Sequence, residues 1–477
     1  MEKSLGHKAV NGAVWATIDR FSYMGIQFTV NLILARLLLP SDFGIIGMLA
    51  IFISVSQTLI DGGFGSALIQ KKNPTETDYS TIFFWNLGFS LILYLILYVA
   101  AIPIATFFSM PQLCPVLRII SLTLIISGIL SIQRIRLQKE LAFKKLAIVN
   151  LSAYFIGAVS AITMAKNGWG VWSLVFMQII YYGCSVIVIW LITHWHPSLV
   201  FSPSSLKKLF GFGGFIMAAS ILQTVCQNVQ GLIIGKKFSA TQMGYFSQAY
   251  KLDQITSYTV PQIIVQVMYP VYSSFQDNKD ELNKLVLMNM RVIAFIVFPI
   301  LTTLIIIAEP LITFLYGAKW LPCVPYFQIL CVAGFFVSLQ NLNFYAVAAV
   351  GKSKSLFKWS FYKWGFLLGA LLLGMHFGMY GILWGMVISS INIFLTNSYL
   401  SQQHTGLKVS NQLINLLPII ATLLVGISIG FTVGYFTRNL FFNASATIVS
   451  FTITARLINL KAFHDVLSIA KKIRARY

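Results

Sequence analysis

Charge is what this chain has least of. Only 10% of its 477 residues are charged, and acids number just 13, whereas a soluble domain carries about 25% charged residues. A wetted surface cannot be built from so few, which excludes an ordinary soluble fold. Cysteine is sparse too: Cys114, Cys184, Cys226, Cys323 and Cys331 form no CxxC pair and fall mostly in apolar stretches, excluding a disulfide scaffold or a thiolate metal site. The histidines (His7, His194, His196, His376, His404, His464) are scattered, and HExxH, P-loop and GxSxG elements are all missing, which removes the usual hydrolase and nucleotide chemistries. The opening MEKSLGHKAVNG lacks the apolar core and small-residue cleavage site of a removable signal. Long polar connectors are missing as well. No gap between apolar segments could house a soluble catalytic domain.

What is present is apolar length. Hydrophobic residues make up 57% of the chain, with a mean hydropathy of +0.79. Fourteen segments read as membrane spans: 11–37, 42–69, 80–106, 115–135, 145–165, 169–193, 209–235, 242–272, 284–308, 323–349, 356–375, 378–400, 413–436 and 439–459. One bilayer crossing takes about 20 apolar residues as a helix. A barrel strand would take about 10 with alternating polarity, which these segments do not show. The expected fold is therefore an all-α integral membrane protein of about 14 transmembrane helices.

The formal net charge of +21 fits a membrane partner rather than nucleic acid, because Lys and Arg collect in cytoplasmic loops beside anionic headgroups. With the N-terminus inside, most basic residues fall on one side, including Arg134, Arg136, Lys139, Lys144 and Lys145 around the connector between the spans 115–135 and 145–165. The opposite side holds only Arg36, Lys166, Lys236, Lys237, Lys319 and Arg438. Both termini are thus expected in the cytoplasm. The tail KAFHDVLSIAKKIRARY reads as a basic amphipathic helix on the membrane surface. Trp169, Trp172, Trp190, Trp195 and Trp320 lie near span ends, where an interfacial belt would put them.

The halves also echo each other. LARLLLPSDFG (Leu34–Gly44) aligns with IGKKFSATQMG (Ile234–Gly244), and GVWSL at 170–174 resembles GILWG at 381–385. This suggests two six-helix lobes in the same orientation: residues 1–200 with helices 1–6, and 201–400 with helices 7–12. Residues 401–477 would add two C-terminal helices and the basic tail.

ILARLLLPSDFGIIGM (Ile33–Met48), DGGFGSALIQ (Asp61–Gln70), LQKELAFKKL (Leu137–Leu146) and GWGVWSL (Gly168–Leu174), in that order and spacing, resemble bacterial polysaccharide flippases. These are the O-antigen and colanic-acid-like members of the multidrug/oligosaccharidyl-lipid/polysaccharide superfamily. The resemblance covers about residues 5–400. It implies a V-shaped, MATE-like pair of lobes and no enzymatic activity. It also implies alternating access that moves undecaprenyl-diphosphate-linked oligosaccharide from the cytoplasmic to the periplasmic leaflet of the bacterial inner membrane, for surface polysaccharide biosynthesis. Other polysaccharide assembly proteins are implied as partners. No cofactor is implied beyond a coupling ion, H⁺ or Na⁺. The second lobe departs from the family pattern at Val229-Gln230, where relatives often carry an aspartate, and at Phe246-Ser247-Gln248, where they often have Tyr-Asn-Arg.

An ionised side chain at the centre of a span costs about 2.5–3.5 kcal/mol, so such residues face a cavity or a partner. Cations come first, as escorts for a diphosphate: Arg20 and Lys251 at comparable depths in the two lobes, then Arg118 and Lys363 nearer span ends, where snorkelling is the alternative. Gln223, Gln227 and Gln230 form a helical stripe suited to sugar hydroxyls or, equally, to interhelical glue. Asp61, Asp19 and Asp253 are the candidates for ion coupling. The alternative for Asp61 is an ion pair with Arg20. Lys251 and Asp253, two apart, should point in different directions. Glu309 should be solvated in the 309–322 connector. Two other functions remain as expectations to test: a MATE-type drug or cation exporter, which would favour a more acidic cavity, and a membrane polymerase or glycosyltransferase, which needs larger external loops. A membrane scaffold is disfavoured by charges held at depth.

Overall fold

A computed structural model describes residues 2–474; residues 475–477 of the expected tail helix lie outside the described residues. Among those residues there are helices and no strands. Helix closes every backbone hydrogen bond within one segment, which lipid demands.

The chain divides into two compact units, residues 1–244 and 245–477. The first contains α1 (Glu2–Leu37), α2 (Pro40–Asp61), α3 (Phe64–Gln70), α4 (Glu76–Phe107), α5 (Leu113–Ile120), α6 (Leu122–Lys139), α7 (Phe143–Lys166), α8 (Val171–Thr193) and α9 (Pro203–Lys237). Next comes α10 (Ala240–Gln254), which runs through a π turn at Ile255–Thr259 into α11 (Val260–Ser274) of the second unit. That unit continues with α12 (Lys279–Ile306), α13 (Ala308–Tyr316), α14 (Val324–Ala349), α15 (Ser353–Gly374), α16 (Gly378–Thr405), α17 (Val409–Thr437), α18 (Leu440–Leu457) and α19 (Lys461–Arg474).

Among the described residues, ten helical segments are long and apolar enough to cross a membrane, one of them (353–405) comprising both α15 and α16. The expected segments 11–37, 209–235 and 242–272 lie on α1, α9 and α10–α11, outside that set. The unit boundary falls after Gly244 instead of at residue 200, because α9 packs along α2 within the first unit. Residues 401–477 form no separate piece: α17, α18 and α19 all pack against α12.

Local chemistry sets the helix starts. Pro40 opens α2, and Asp42 reaches back to accept the Leu39 N–H at 2.9 Å. Ser202 and Pro203 open α9, Asn278 caps α12, and Asn439 caps α18, each oxygen satisfying an amide the helix leaves open. The two aligned segments adopt the same helix–turn–helix form, α1 to α2 and α9 to α10, and they meet. A Cβ on Gly44 would stand 1.7 Å from the Ala240 carbonyl oxygen, and one on Gly244 would stand 1.8 Å from that of Pro40.

The 194–202 linker is stapled to the first turns of α4. Trp195 Nε1 donates to Glu76 at 2.7 Å, the Ser198 N–H to Ser80 Oγ at 3.0 Å, and the Ser202 N–H to Thr81 Oγ1 at 3.0 Å. Asp78, which completes the Thr75 capping box, also accepts from Ser205 and pairs with Lys71. Arg136 lies over the rings of both Tyr79 and Trp195 and reaches Glu76. Asp78→Ala strands three donors at once. It should destabilise the purified protein by about 1–3 kcal/mol, read as a lower melting temperature in detergent; an unchanged melting curve would contradict this arrangement.

Two tryptophans depart from the interfacial belt. Trp320 is fully buried and Trp195 is 8% exposed, because both pack into the protein's own core, whereas Trp169 is exposed as expected. The 309–322 connector is folded as α13 and a 3-10 turn, with Glu309 exposed on its first turn. The five cysteines are free.

Candidate functional site

Asp61 is the last residue of α2, at a break in the helix. Gly62 and Gly63 both take left-handed conformations (φ 53° and 69°), Gly62 donates its N–H to the Thr58 carbonyl, and α3 restarts at Phe64. Two consecutive positive φ angles need glycine. The break leaves an exposed carboxylate at the negative end of a helix, the geometry discontinuous membrane helices use to hold cations.

The expected Arg20–Asp61 ion pair does not form. Arg20 is exposed, and ion pairs occur elsewhere, at Lys71–Asp78, Arg136–Glu76, Lys284–Glu281 and Arg291–Asp465. A cation near Asp61 is Arg134, counted by sequence on the cytoplasmic side at the end of the 115–135 span. Helix α6 continues through it to Lys139, so Arg134 is half-buried among helices. Its Nη2 donates to Asn150 Oδ1 at 3.2 Å and to the Tyr181 hydroxyl at 3.1 Å. Asn150 Nδ2 in turn donates to Asp19 Oδ2 at 3.0 Å. Tyr23, Tyr154 and Tyr181 pack edge to face or tilted around this chain, with centroids 4.9–6.4 Å apart.

Five helices thus contribute to one polar centre: α1 with Asp19 and Tyr23, α2 with Asp61, α6 with Arg134, α7 with Asn150 and Tyr154, and α8 with Tyr181. Asp19 Oδ1 and Arg134 Nε are buried there without a partner. Buried polar atoms seldom stay unpaired, and those that do call for a water, an ion or a moving part. Two carboxylates and one guanidinium leave the centre one negative charge in excess. Such a centre can take up or release a small cation.

The other sequence candidates are dispersed. Lys251 is exposed, while Asp253 is 3% exposed and accepts from Ser257 at the π turn; as expected, they point apart. Asp253 therefore has a hydroxyl partner inside the second unit. Lys363 does not snorkel: it is 7% exposed, its Nζ donates to Asn397 Oδ1 at 3.0 Å and lies 5.6 Å from the Phe344 ring centroid. Arg118 is engaged at the edge of the first unit, its guanidinium 4.2 Å from the Tyr98 ring centroid and its Nε bonded to the Tyr98 carbonyl. In the glutamine stripe, Gln223 and Gln227 are exposed, but Gln230 turns inward and bonds the Gln227 carbonyl. The stripe is two residues long. An apolar groove of about 640 Å³ between α15 and α16, walled by Phe366, Phe377, Tyr380 and Trp384, contains none of these groups. No cluster of metal-ligating side chains occurs among the described residues.

A family model described as polysaccharide biosynthesis protein matches residues 33–325. Teichuronic acid biosynthesis protein TuaB of Bacillus subtilis (strain 168) is 26% identical over 362 residues, covering 75% of this chain and 74% of that protein. Lipopolysaccharide biosynthesis protein WzxC of Escherichia coli (strain K12) is 25% identical over 401 residues, covering 82% and 81%. Among solved structures, the lipid II flippase MurJ in an inward closed conformation superposes with a TM-score of 0.72 at 15% identity, covering 95% of this chain and all of that one.

Proposed function

Because the chain belongs to the polysaccharide biosynthesis protein family, we propose that it is a flippase. It moves undecaprenyl-diphosphate-linked oligosaccharide from the cytoplasmic to the periplasmic leaflet of the bacterial inner membrane by alternating access, with both termini in the cytoplasm. The observation that carries this reading is the polar centre of Asp61, Arg134, Asn150 and Asp19 inside a membrane-spanning helical unit. Charges held there cost free energy and are kept where ions or substrates pass. Arg20 and Lys251, both exposed, are the cations that compensate the travelling diphosphate. The Asp61 centre exchanges H⁺ or Na⁺ and couples its gradient to the turnover.

Two substitutions separate these roles. Lys251→Ala should leave membrane insertion intact and abolish surface glycan in cells that depend on this protein. Asp61→Asn, which keeps shape but removes charge, should abolish the dependence of flipping on an ion gradient. Normal glycan from Lys251→Ala would dismiss the diphosphate escort. Drug efflux in place of glycan delivery would move the protein to the exporter class.

A further inference from the structure

The helix break beside Asp61 rests on α9 through bare backbone. A Cβ on Gly63 would stand 2.2 Å from the Gly213 carbonyl oxygen, and one on Gly213 would stand 3.1 Å from the Gly63 carbonyl carbon and oxygen and 3.2 Å from the Gly62 oxygen. Around this touch the rings of Phe64 and Phe210 pack with centroids 6.0 Å apart, and Thr58 and Thr224 share a hydroxyl hydrogen bond of 3.1 Å between α2 and α9. The foot of α9 cannot drift, because Ser202 is bonded to Thr81 and Ser205 to Asp78. Gly213 lies about 15 Å along the helix from that foot at 1.5 Å per residue. Beyond Gly213, α9 runs on to Lys237 and then through α10 into the second unit.

We propose that Gly63 and Gly213 are positioning residues that pass the charge state of Asp61 to α9. A side chain between the two segments would absorb a small displacement by changing rotamer. Two touching main chains have no such freedom, and packed elements answer small shifts by moving as wholes. When Asp61 gains or loses a cation, the Gly62–Gly63 turn shifts, and α9, pinned at its foot, pivots. The inference rests on the reading of Asp61 as the coupling residue.

The test uses the full chain in proteoliposomes with a fluorophore-labelled undecaprenyl-diphosphate disaccharide, flipping being read by dithionite quenching with and without an imposed H⁺ or Na⁺ gradient. Gly213→Ala should flip at the wild-type rate without a gradient and lose the acceleration a gradient gives. Gly214→Ala, whose Cβ would meet only the Phe210 ring, should keep both. A parallel loss of both rates in Gly213→Ala, or retained acceleration, overturns the proposal. Asp61→Asn run alongside separates the premises: if it keeps the acceleration, the coupling role itself fails, whereas if it loses it and Gly213→Ala does not, only the glycine relay fails. Thr58→Cys/Thr224→Cys provides a version without an added Cβ at the contact. Its oxidised form should lose gradient acceleration and regain it on reduction, and acceleration unaffected by oxidation would overturn the relay.

Discussion

Arg134→Ala is expected to abolish surface polysaccharide while the protein still inserts in the membrane at normal abundance. The guanidinium holds Asn150 and Tyr181 directly, Asp19 through Asn150, and places a positive charge near Asp61. Hydrogen bonds to charged groups are each worth about 1.5–3 kcal/mol, and Arg134 donates two of them. If that loss falls on the transport step, each 1.36 kcal/mol is about tenfold in rate, so flipping should fall by about 100-fold or more. Arg134→Lys keeps the charge but not the planar fork that serves two acceptors, and should retain part of the rate. Wild-type flipping from Arg134→Ala in proteoliposomes would remove the polar centre from the mechanism. Protein lost from the membrane would instead mark it as a folding element, and abundance on a membrane blot tells the two apart.

How Arg134 escaped sequence reading is instructive. It stands in SIQRIRLQK, where hydropathy falls and basic residues accumulate, the composition of a cytoplasmic loop. The missed signal was that Ile132, Ile135 and Leu137 interleave the charges, and two of these are buried: the helix continues after its hydropathy has faded. Asp61, by contrast, was legible as a charge inside an apolar run, but the break after it was not: 42–69 read as one span, and Gly62 and Gly63 end α2 inside it. Direction around the helix was not legible. Lys363 turns inward and Arg118 turns to the edge for reasons set by Asn397 and Tyr98, neighbours that no local window contains. Trp195 and Trp320 show the same limit, since a tryptophan near a span end looks alike whether it meets headgroups or the protein's own core. The unit boundary slipped for a related reason. Counting helices in sixes ignores that α9 packs its glycines against the backbone of α2.

The crossing of the two repeats should be the least tolerant point in the chain. Gly44→Ala is expected to lower the yield of monodisperse protein in detergent sharply and to depress its melting temperature, whereas Gly25→Ala, on the neighbouring helix with nothing within 4 Å of its Cβ position, should match the wild type. Overpacking a core usually costs about 1–3 kcal/mol because side chains give way. Here the added carbon would lie 1.7 Å from the Ala240 oxygen, 2.6 Å from its carbonyl carbon and 3.0 Å from the Gly244 nitrogen, all main-chain atoms in the first turns of α10. Relief requires parting the first turn of α2 from residues 240–244 within the first unit, so the cost should exceed that range. Gly244→Ala meets the Pro40 carbonyl in the same way, and the two substitutions should not compensate, because each pushes the same helices apart. Equal melting of Gly44→Ala and Gly25→Ala would mean that the helices do not touch here. The reciprocity explains why LARLLLPSDFG and IGKKFSATQMG end on glycine at matched positions: each segment starts a helix whose first turn is the surface against which the other is packed.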